Sequence, residues 1–328
     1  MQIYLLLTDN CNLTCKMCIR GRQLGTNIDV TDLKNMSWID DLIDHDIIIT
    51  GGEPTLHKDF KEIVDLLLTK AKTVTVTTNG TINEYLTDDF LRENLFFQVS
   101  VDGDAEKHNS IRGQGNYEKS LFTIKKLDEM GAKYSVASVV SNKNKDSMFV
   151  LEKELRKLTH IRYWRISYEM PFGDAETDDF MSAEEWNTFV DDIIREAQLK
   201  LKVQKIFPFE VYERRRDELE LIYSQKQRCN NCGSGSTKFY IYPDWTVYSC
   251  TCLTDFPLGN LKEKTIKEIL LGNEIKRFSE YEVHNQICLQ CQYLKYCNGG
   301  CIGMSYHYYG KLGMGDKRCP IINEKERS

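Results

Sequence analysis

The chain has 328 residues, a formal net charge of −6 and 12 cysteines. This length exceeds that of a usual single domain, so we expect one large domain with an appendage, or two domains. The acidic balance, with both signs mixed along the chain, disfavours a nucleic-acid partner, because affinity for nucleic acid comes mainly from clustered Lys and Arg.

The first apolar run, Met1 to Asp9, is too short for the core of a signal peptide and lacks a basic flank. We interpret it as a first β-strand. No apolar stretch approaches the length that a bilayer-spanning helix needs. The sequence therefore predicts a soluble, cytoplasmic protein with no membrane partner.

Short β-branched runs then alternate with helical apolar spacing, which is typical of repeated βα units around a parallel sheet. The predicted strands are Ile3–Leu7, Ile47–Thr50, Val74–Thr77, Phe97–Val101, Tyr134–Val140 and Tyr163–Ser167. The predicted helices are Phe60–Thr69, Asn83–Glu93, Tyr117–Met130, Ser147–Leu158 and Ser182–Leu199. These elements indicate an α/β fold, a partial (β/α)6 TIM-like barrel over residues 1–204.

The composition changes twice after the barrel. Residues 205–228 are highly charged and are predicted to form a solvated helical linker, an interpretation we favour over an anion site at Arg214–Arg216. Residues 229–328 are rich in Cys, Tyr and Gly, and a β-hairpin is predicted from Lys238 to Ser249. Trp245, in the turn of this hairpin, lies near the substrate or packs the turn.

The cysteines fall into two groups. Three lie between residues 11 and 18, none between 19 and 228, and nine between 229 and 319. A chain of this length can form a core without disulfides and carries no export signal, so metal or cluster ligation is the better interpretation. Their distribution predicts two separate metal regions.

The first group follows the first strand, at the barrel edge where catalytic loops gather. Three thiols can hold three irons of a four-iron cluster and leave the fourth iron open, although a zinc knuckle or buried thiols are alternatives. Polar residues follow the next three strands at the same edge: Gly51, Gly52, Glu53 and Pro54, then Thr78 and Asn79, then Ser100 and Asp102. Glycines allow close backbone approach to a ligand, and a glutamate accepts hydrogen bonds from an amine.

The Cys-x3-Cys-x2-Cys motif, together with Gly-Gly-Glu-Pro after the second strand, resembles the radical S-adenosylmethionine (SAM) superfamily. The resemblance implies that Cys11, Cys15 and Cys18 bind a 4Fe-4S cluster whose open iron takes the amino and carboxylate groups of SAM. It further implies that Gly51, Gly52 and Glu53 hold the amine, that Ser100 and Asp102 lie near the ribose, and that Arg112 binds the carboxylate. The predicted SAM contacts are Met17, Gly51, Gly52, Glu53, Pro54, Thr78, Asn79, Ser100, Asp102 and Arg112. Met17 replaces the aromatic residue usual in the family and can pack on adenine through its sulfur.

The second cysteine group resembles the SPASM domain, a module with two auxiliary clusters, and this implies three 4Fe-4S clusters in all. Zinc ribbons are the alternative, because four thiolates suit both. The resemblance assigns the nearer auxiliary cluster to Cys229, Cys232, Cys250 and Cys301. It assigns the farther one to Cys288, Cys291, Cys297 and Cys319.

Cys252 is left over and is predicted either to be an inert thiol or to return a hydrogen atom to a substrate radical, as in SPASM-like peptide epimerases. The resemblance implies reductive cleavage of SAM to a 5′-deoxyadenosyl radical, which abstracts hydrogen from the substrate. Epimerization or oxidative cross-linking follows, depending on whether Cys252 or an auxiliary cluster takes the next step. Thr251 stands where sulfatase-maturing members carry an acidic base, which disfavours that activity.

A ribosomally made peptide is the leading substrate, with flavodoxin or ferredoxin as electron donor. Because the first strand begins at Ile3, we expect no N-terminal leader-binding domain, and a small molecule such as an aminoglycoside stays an alternative substrate. A non-enzymatic electron carrier or zinc-binding interaction protein is the alternative of another class. The Gly51–Pro54 motif argues against it, since a carrier needs no amine-binding pocket.

Overall fold

The computed structural model describes residues 1–21, 25–36, 42–175, 181–204, 220 and 232–327. The strands are β1 (Gln2–Thr8), β2 (Asp46–Gly51), β3 (Thr73–Thr78), β4 (Leu95–Ser100), β5 (Tyr134–Val140), β6 (Ile161–Tyr168), β7 (Leu201–Val203), β8 (Lys238–Ile241), β9 (Thr246–Tyr248) and β10 (Pro257–Asn260). The helices of the N-terminal part are α1 (Val30–Asn35), α2 (Phe60–Lys70), α3 (Ala105–Arg112), α4 (Asn116–Glu129), α5 (Met148–Leu155) and α6 (Ala183–Glu196). Those of the C-terminal part are α7 (Ile266–Leu271), α8 (Lys276–Ser279), α9 (Gln286–Leu289), α10 (Leu294–Cys297), α11 (Ile302–Tyr309) and α12 (Pro320–Arg327).

Within the described residues the strands form one sheet in the order β10-β9-β8-β1-β2-β3-β4-β5-β6-β7. Strands β1 to β7 pair in parallel with their sequence neighbours, and the intervening segments carry helices. This is the arrangement of repeated βα units. All carboxyl ends of β1 to β7 therefore lie at one edge of the sheet.

The core lies between the sheet and its helices. In β1 every residue from Leu5 to Thr8 is buried, as expected of a parallel strand covered on both faces. Helix α2 buries Phe60, Ile63, Val64 and Leu67 on one face. At about 25 cal/mol per Å² of apolar surface, such burial is the main stabilising contribution to the barrel.

All six predicted strands are confirmed, and so are the predicted helices at α2, α4, α5 and α6. The helix predicted over Asn83–Glu93 is wrong: the segment holds only a 3-10 turn at Asp88–Phe90, preceded by extended backbone at Thr87. Tyr85 is instead buried edge-on against Phe60, and Phe90 is buried against the same ring in a tilted contact, so tertiary packing overrides the helical spacing. Strand β7 and helix α3 were not predicted.

The predicted hairpin is confirmed as β8 and β9, which pair antiparallel. It also extends the barrel sheet, because β8 pairs in parallel with β1 from Gln2–Lys238 to Leu5–Ile241. Trp245 packs the turn, with 1% of its surface exposed and a φ of 71°. The predicted linker lies outside the described residues except for Glu220, and the division at residues 204 and 228 stays a prediction. In the part of the chain that the structure describes, no helix combines the length and apolarity needed to cross a membrane.

Candidate functional site

The Cys11–Cys18 loop follows β1 directly and packs against the residues that follow β2. The backbone N–H of Gly52 donates to Thr8 O at 2.7 Å, and that of Glu53 donates to Asn10 O at 2.7 Å. A side chain at Gly52 would place Cβ 2.1 Å from Asn10 O, and one at Gly51 would place it 2.3 Å from Thr8 O. Both glycines are thus required for this close approach of two strand ends.

Glu53 is buried beneath this contact, with 1% of its surface exposed. Its Oε1 accepts hydrogen bonds from the hydroxyls of Thr78 and Thr55, both at 2.7 Å, and its Oε2 accepts from the Asn79 N–H at 2.7 Å. Burial raises the pKa of the carboxyl, and these donors oppose the shift. Pro54 starts a 3-10 turn next to it. The β3 end therefore fixes the orientation of Glu53.

Arg112, at the end of α3, joins the β4 end to the cysteine loop. Its guanidinium forms an ion pair with Asp102, which is fully buried and also accepts the Val139 N–H at 2.7 Å. Burial raises the pKa of the Cys15 thiol to about 11, and the positive charge of Arg112 opposes this shift. Arg112 thus lies close enough to the first cysteines to act on them electrostatically.

The structure brings the predicted strand-end residues together. Ser100 is the last residue of β4 and Met17 lies half-buried in the cysteine loop. Sequence reasoning missed Asn12, whose Oδ1 accepts a hydrogen bond from Asn79 Nδ2 at 2.9 Å. Its position directly after Cys11 was the available signal.

His108 was also missed. Its Nδ1 accepts the Asp102 N–H at 3.2 Å, and burial lowers its pKa to about 4. The imidazole is therefore neutral at physiological pH and forms part of the support of Asp102.

The farther auxiliary set surrounds a single cavity with about 340 Å³ of empty space, part of it open to solvent. The residues lining it are Ile287, Cys288, Cys291, Leu294, Cys297, Gly299, Asp316, Cys319, Ile321 and Ile322. In the described residues no three Cys, His, Asp or Glu side chains converge closely enough to hold one metal ion. Four cysteines around one mostly apolar space match the donor set of an iron-sulfur cluster.

The nearer auxiliary set is described in part, because Cys229 lies outside the described residues. Cys232 Sγ lies 3.1 Å from Ser234 Oγ, and Cys250 Sγ accepts the Cys252 N–H at 3.4 Å. A Cβ added at Gly303 would lie 3.6 Å from Cys301 Sγ and 3.2 Å from Cys252 Cβ. Cys250, Cys252 and Cys301 therefore share one small region.

Within that region the thiols of Cys250 and Cys252 differ. The hydrogen bonds from Cys252 lower the pKa of Cys250 to about 7, whereas the neighbouring Cys250 and burial raise the pKa of Cys252 well above its usual value. The Cys252 N–H points at Cys250 Sγ, and a hydrogen bond donated to a thiolate stabilises the charged form, which agrees with the lowered pKa of Cys250. These shifts favour the thiolate form at Cys250 and the protonated form at Cys252.

Two family models match the sequence. The radical SAM superfamily matches over residues 5–152, the part that carries the first cysteines and the strand-end residues. The chain therefore belongs to the radical SAM superfamily, a family of enzymes. An iron-sulfur cluster-binding domain, SPASM, matches over residues 229–292, which contain five of the predicted auxiliary ligands. Within the superfamily the chain is thus of the SPASM-domain type.

Similar proteins include AlbA, the antilisterial bacteriocin subtilosin biosynthesis protein of Bacillus subtilis (strain 168), which is 28% identical over 317 residues, 90% of this chain and 65% of AlbA. Fe-coproporphyrin III synthase of Methanosarcina barkeri (strain Fusaro / DSM 804) is 25% identical over 356 aligned positions, 97% of this chain and 87% of the synthase. The alignment with AlbA covers slightly less than two thirds of AlbA's own length. The crystal structure of Streptococcus suis SuiB bound to S-adenosylmethionine shares the fold, with a TM-score of 0.77 at 18% identity, over 97% of this chain and 77% of SuiB.

Proposed function

We propose that this chain cleaves SAM reductively at the β1 edge and abstracts a hydrogen atom from a ribosomally made peptide. When bound, the first cluster and SAM supply a 5′-deoxyadenosyl radical. The proposal includes three 4Fe-4S clusters, one on Cys11, Cys15 and Cys18 and two on the C-terminal cysteines. The observation that carries it is the junction of the cysteine loop with Gly52 and Glu53.

The chain's own residues then have distinct tasks at the SAM site. Glu53, oriented by Thr78 and Asn79, would accept a hydrogen bond from the methionine amine. Arg112 would bind the methionine carboxylate while its pairing with Asp102 holds the guanidinium in place. The glycines at 51 and 52 keep this edge free of side chains, so that backbone atoms approach the ligand.

Cys252 decides between two reactions. Its thiol carries the hydrogen that an epimerization requires, and it lies beside Gly303 and close to Phe172, from the segment that follows β6. In that reaction Cys252 transfers a hydrogen atom to the substrate carbon radical, and the resulting thiyl takes one electron from the external donor and one proton to return to the thiol. Oxidative cross-linking is the second candidate: the substrate carbon radical would form a bond to a second side chain of the peptide, and one electron would go to an auxiliary cluster and one proton to solvent.

A peptide substrate is supported by AlbA, which serves bacteriocin biosynthesis, and by SuiB, solved with its precursor peptide SuiA. The similarity to Fe-coproporphyrin III synthase favours a small-molecule substrate as the second candidate. A pure electron carrier is disfavoured, because the buried Glu53 and its four donors form a built polar site beside the cysteine loop.

The proposal is tested by anaerobic reconstitution with iron and sulfide, followed by iron counting and an assay for 5′-deoxyadenosine with SAM and a strong reductant. We expect about twelve irons per chain. The Cys15→Ala variant should lose deoxyadenosine formation, whereas Cys252→Ala should keep it and lose solvent deuterium incorporation into the peptide. Bound zinc without SAM cleavage would overturn the proposal, and loss of two substrate hydrogens without deuterium uptake would replace epimerization by oxidation.

A further inference from the structure

Asp316 and Arg318 form a buried ion pair in the C-terminal part of the chain. The two contacts are parallel, with Arg318 Nε 2.9 Å from Asp316 Oδ1 and Nη2 2.7 Å from Oδ2. The Asp316 side chain is 1% exposed and that of Arg318 is 11% exposed. A two-point pair of this kind fixes both the position and the orientation of the carboxylate.

Asp316 contacts both auxiliary cysteine sets. Its Oδ2 accepts the backbone N–H of Cys301, from the nearer set, at 3.0 Å. Asp316 also lines the cavity that Cys288 and Cys319 of the farther set surround. Its backbone O accepts the Cys319 N–H at 2.9 Å. One buried negative charge therefore stands between the two sets.

Arg318 connects this carboxylate to the barrel. Its Nη1 lies 3.4 Å from Met170 Sδ, and its guanidinium lies 5.2 Å from the centre of the Tyr168 ring, at the end of β6. The side chain is therefore held from both sides. Met170 and the Tyr168 ring carry no positive charge. The Arg318 guanidinium therefore supplies a positive charge that compensates the Asp316 carboxylate.

A cluster gains negative charge when it is reduced, and nearby charges shift its potential strongly where water is excluded. A bare carboxylate next to both auxiliary sites would disfavour their reduction, and a paired one does so much less. We propose that Arg318 is a positioning residue that, through Asp316, sets the reduction potentials of both auxiliary clusters together. This inference rests on the proposed clusters in the two C-terminal cysteine sets.

The test uses the full chain with Cys11, Cys15 and Cys18 replaced by Ala, so that only auxiliary clusters remain, reconstituted anaerobically. Iron is counted first, and about eight irons are expected in this parent. A redox titration followed by electron paramagnetic resonance then gives the auxiliary potentials. A parent that binds zinc and no iron would overturn the proposed function, and this inference with it, before any variant is compared.

Arg318→Met and Asp316→Asn are expected to shift the reduction potentials in opposite directions, which a merely structural role would not produce. Arg318→Met removes the positive charge and should shift both potentials to lower values. Asp316→Asn removes the negative charge and should shift both to higher values, and the double variant should return close to the parent. Arg318→Lys, which keeps the charge, should give a smaller shift than Arg318→Met.

Arg277→Met is the matched control, because Arg277 pairs with Glu274 at the surface of the same part of the chain. It should leave both potentials unchanged. Equal potentials in all variants, or shifts of the same sign in Arg318→Met and Asp316→Asn, would overturn the inference. Should Arg318→Met fail to load iron, Asp316→Asn decides alone: a rise in both potentials supports the inference and no rise overturns it.

Discussion

The two cysteine regions are held in place by different means. The first loop is fixed by backbone hydrogen bonds between neighbouring parallel strand ends, as at Gly52 and Thr8. Two of the C-terminal cysteines, Cys288 and Cys297, lie on α9 and α10, helices of four residues each that are too short to be stable by themselves. We therefore expect the barrel site to be preformed by the fold, and the auxiliary sites to depend on their proposed clusters for stability.

The largest expected effect comes from leaving the clusters out. In the protein without iron, amide hydrogens of residues 286–319 should exchange roughly 100-fold faster than in the reconstituted protein, because cluster binding contributes to folding there. Strands β1 to β6 should keep their protection. Hydrogen exchange followed by mass spectrometry measures both regions in one sample, and equal changes in the two would contradict the comparison.

Gly52→Ala breaks the preformed site directly. The added Cβ meets Asn10 O, so we expect a loss of about 1–3 kcal/mol in the free energy of unfolding and loss of deoxyadenosine formation. The control is Gly131→Ala, where φ is +66° and no atom lies within 4 Å of the added Cβ. Backbone strain in this variant should lower the free energy of unfolding by about 1 kcal/mol, and deoxyadenosine formation should be kept. Equal activity loss in both variants would show that the contact with Asn10 is not the cause.

Glu53→Gln removes a charge while keeping the side chain's size. The amide oxygen and nitrogen of Gln no longer match the four donors around Glu53, and the charge-assisted hydrogen bond proposed for the SAM amine would be lost. We expect deoxyadenosine formation to fall by about 10- to 100-fold. Glu62→Gln, on the exposed face of α2, is the control and should be silent. An unaffected rate in Glu53→Gln would remove this residue from the SAM site.

The smallest effect concerns His108. Its pKa is about 4 in the folded protein and near 6.5 when unfolded, so the unfolded state binds more protons between these values and stability falls as the pH falls through 6.5. Between pH 7 and about pH 5.5 we expect the free energy of unfolding to fall by about 1 kcal/mol. His108→Asn should remove this part of the pH dependence in denaturant titrations. An unchanged slope would assign the acid sensitivity to other groups.

The sequence was sufficient for the strands and for the residues at their ends, because β-branched runs and the edge rule of parallel sheets are local and regular signals. It was insufficient where a contact joins distant segments. The pairing of β8 with β1 and the contact of Arg318 with Met170 both join segments that are far apart in the chain. The segment after Asn83 was misread for the same reason, since burial of Tyr85 and Phe90 outweighs their helical spacing.

Residues 170–175, which follow β6, contact segments that carry or adjoin all three cysteine sets. The Asp174 N–H donates to Cys18 O at 3.1 Å, and the ring of Phe172 lies 5.1 Å from that of His307, on the helix that follows Cys301. Met170 meets Arg318. This short span therefore contacts segments beside all three proposed cluster sites, in addition to the pairing of β8 with β1. Adding or deleting a residue there should therefore change the distances between the proposed clusters, whereas the same change after α4, at Gly131, should leave them unchanged.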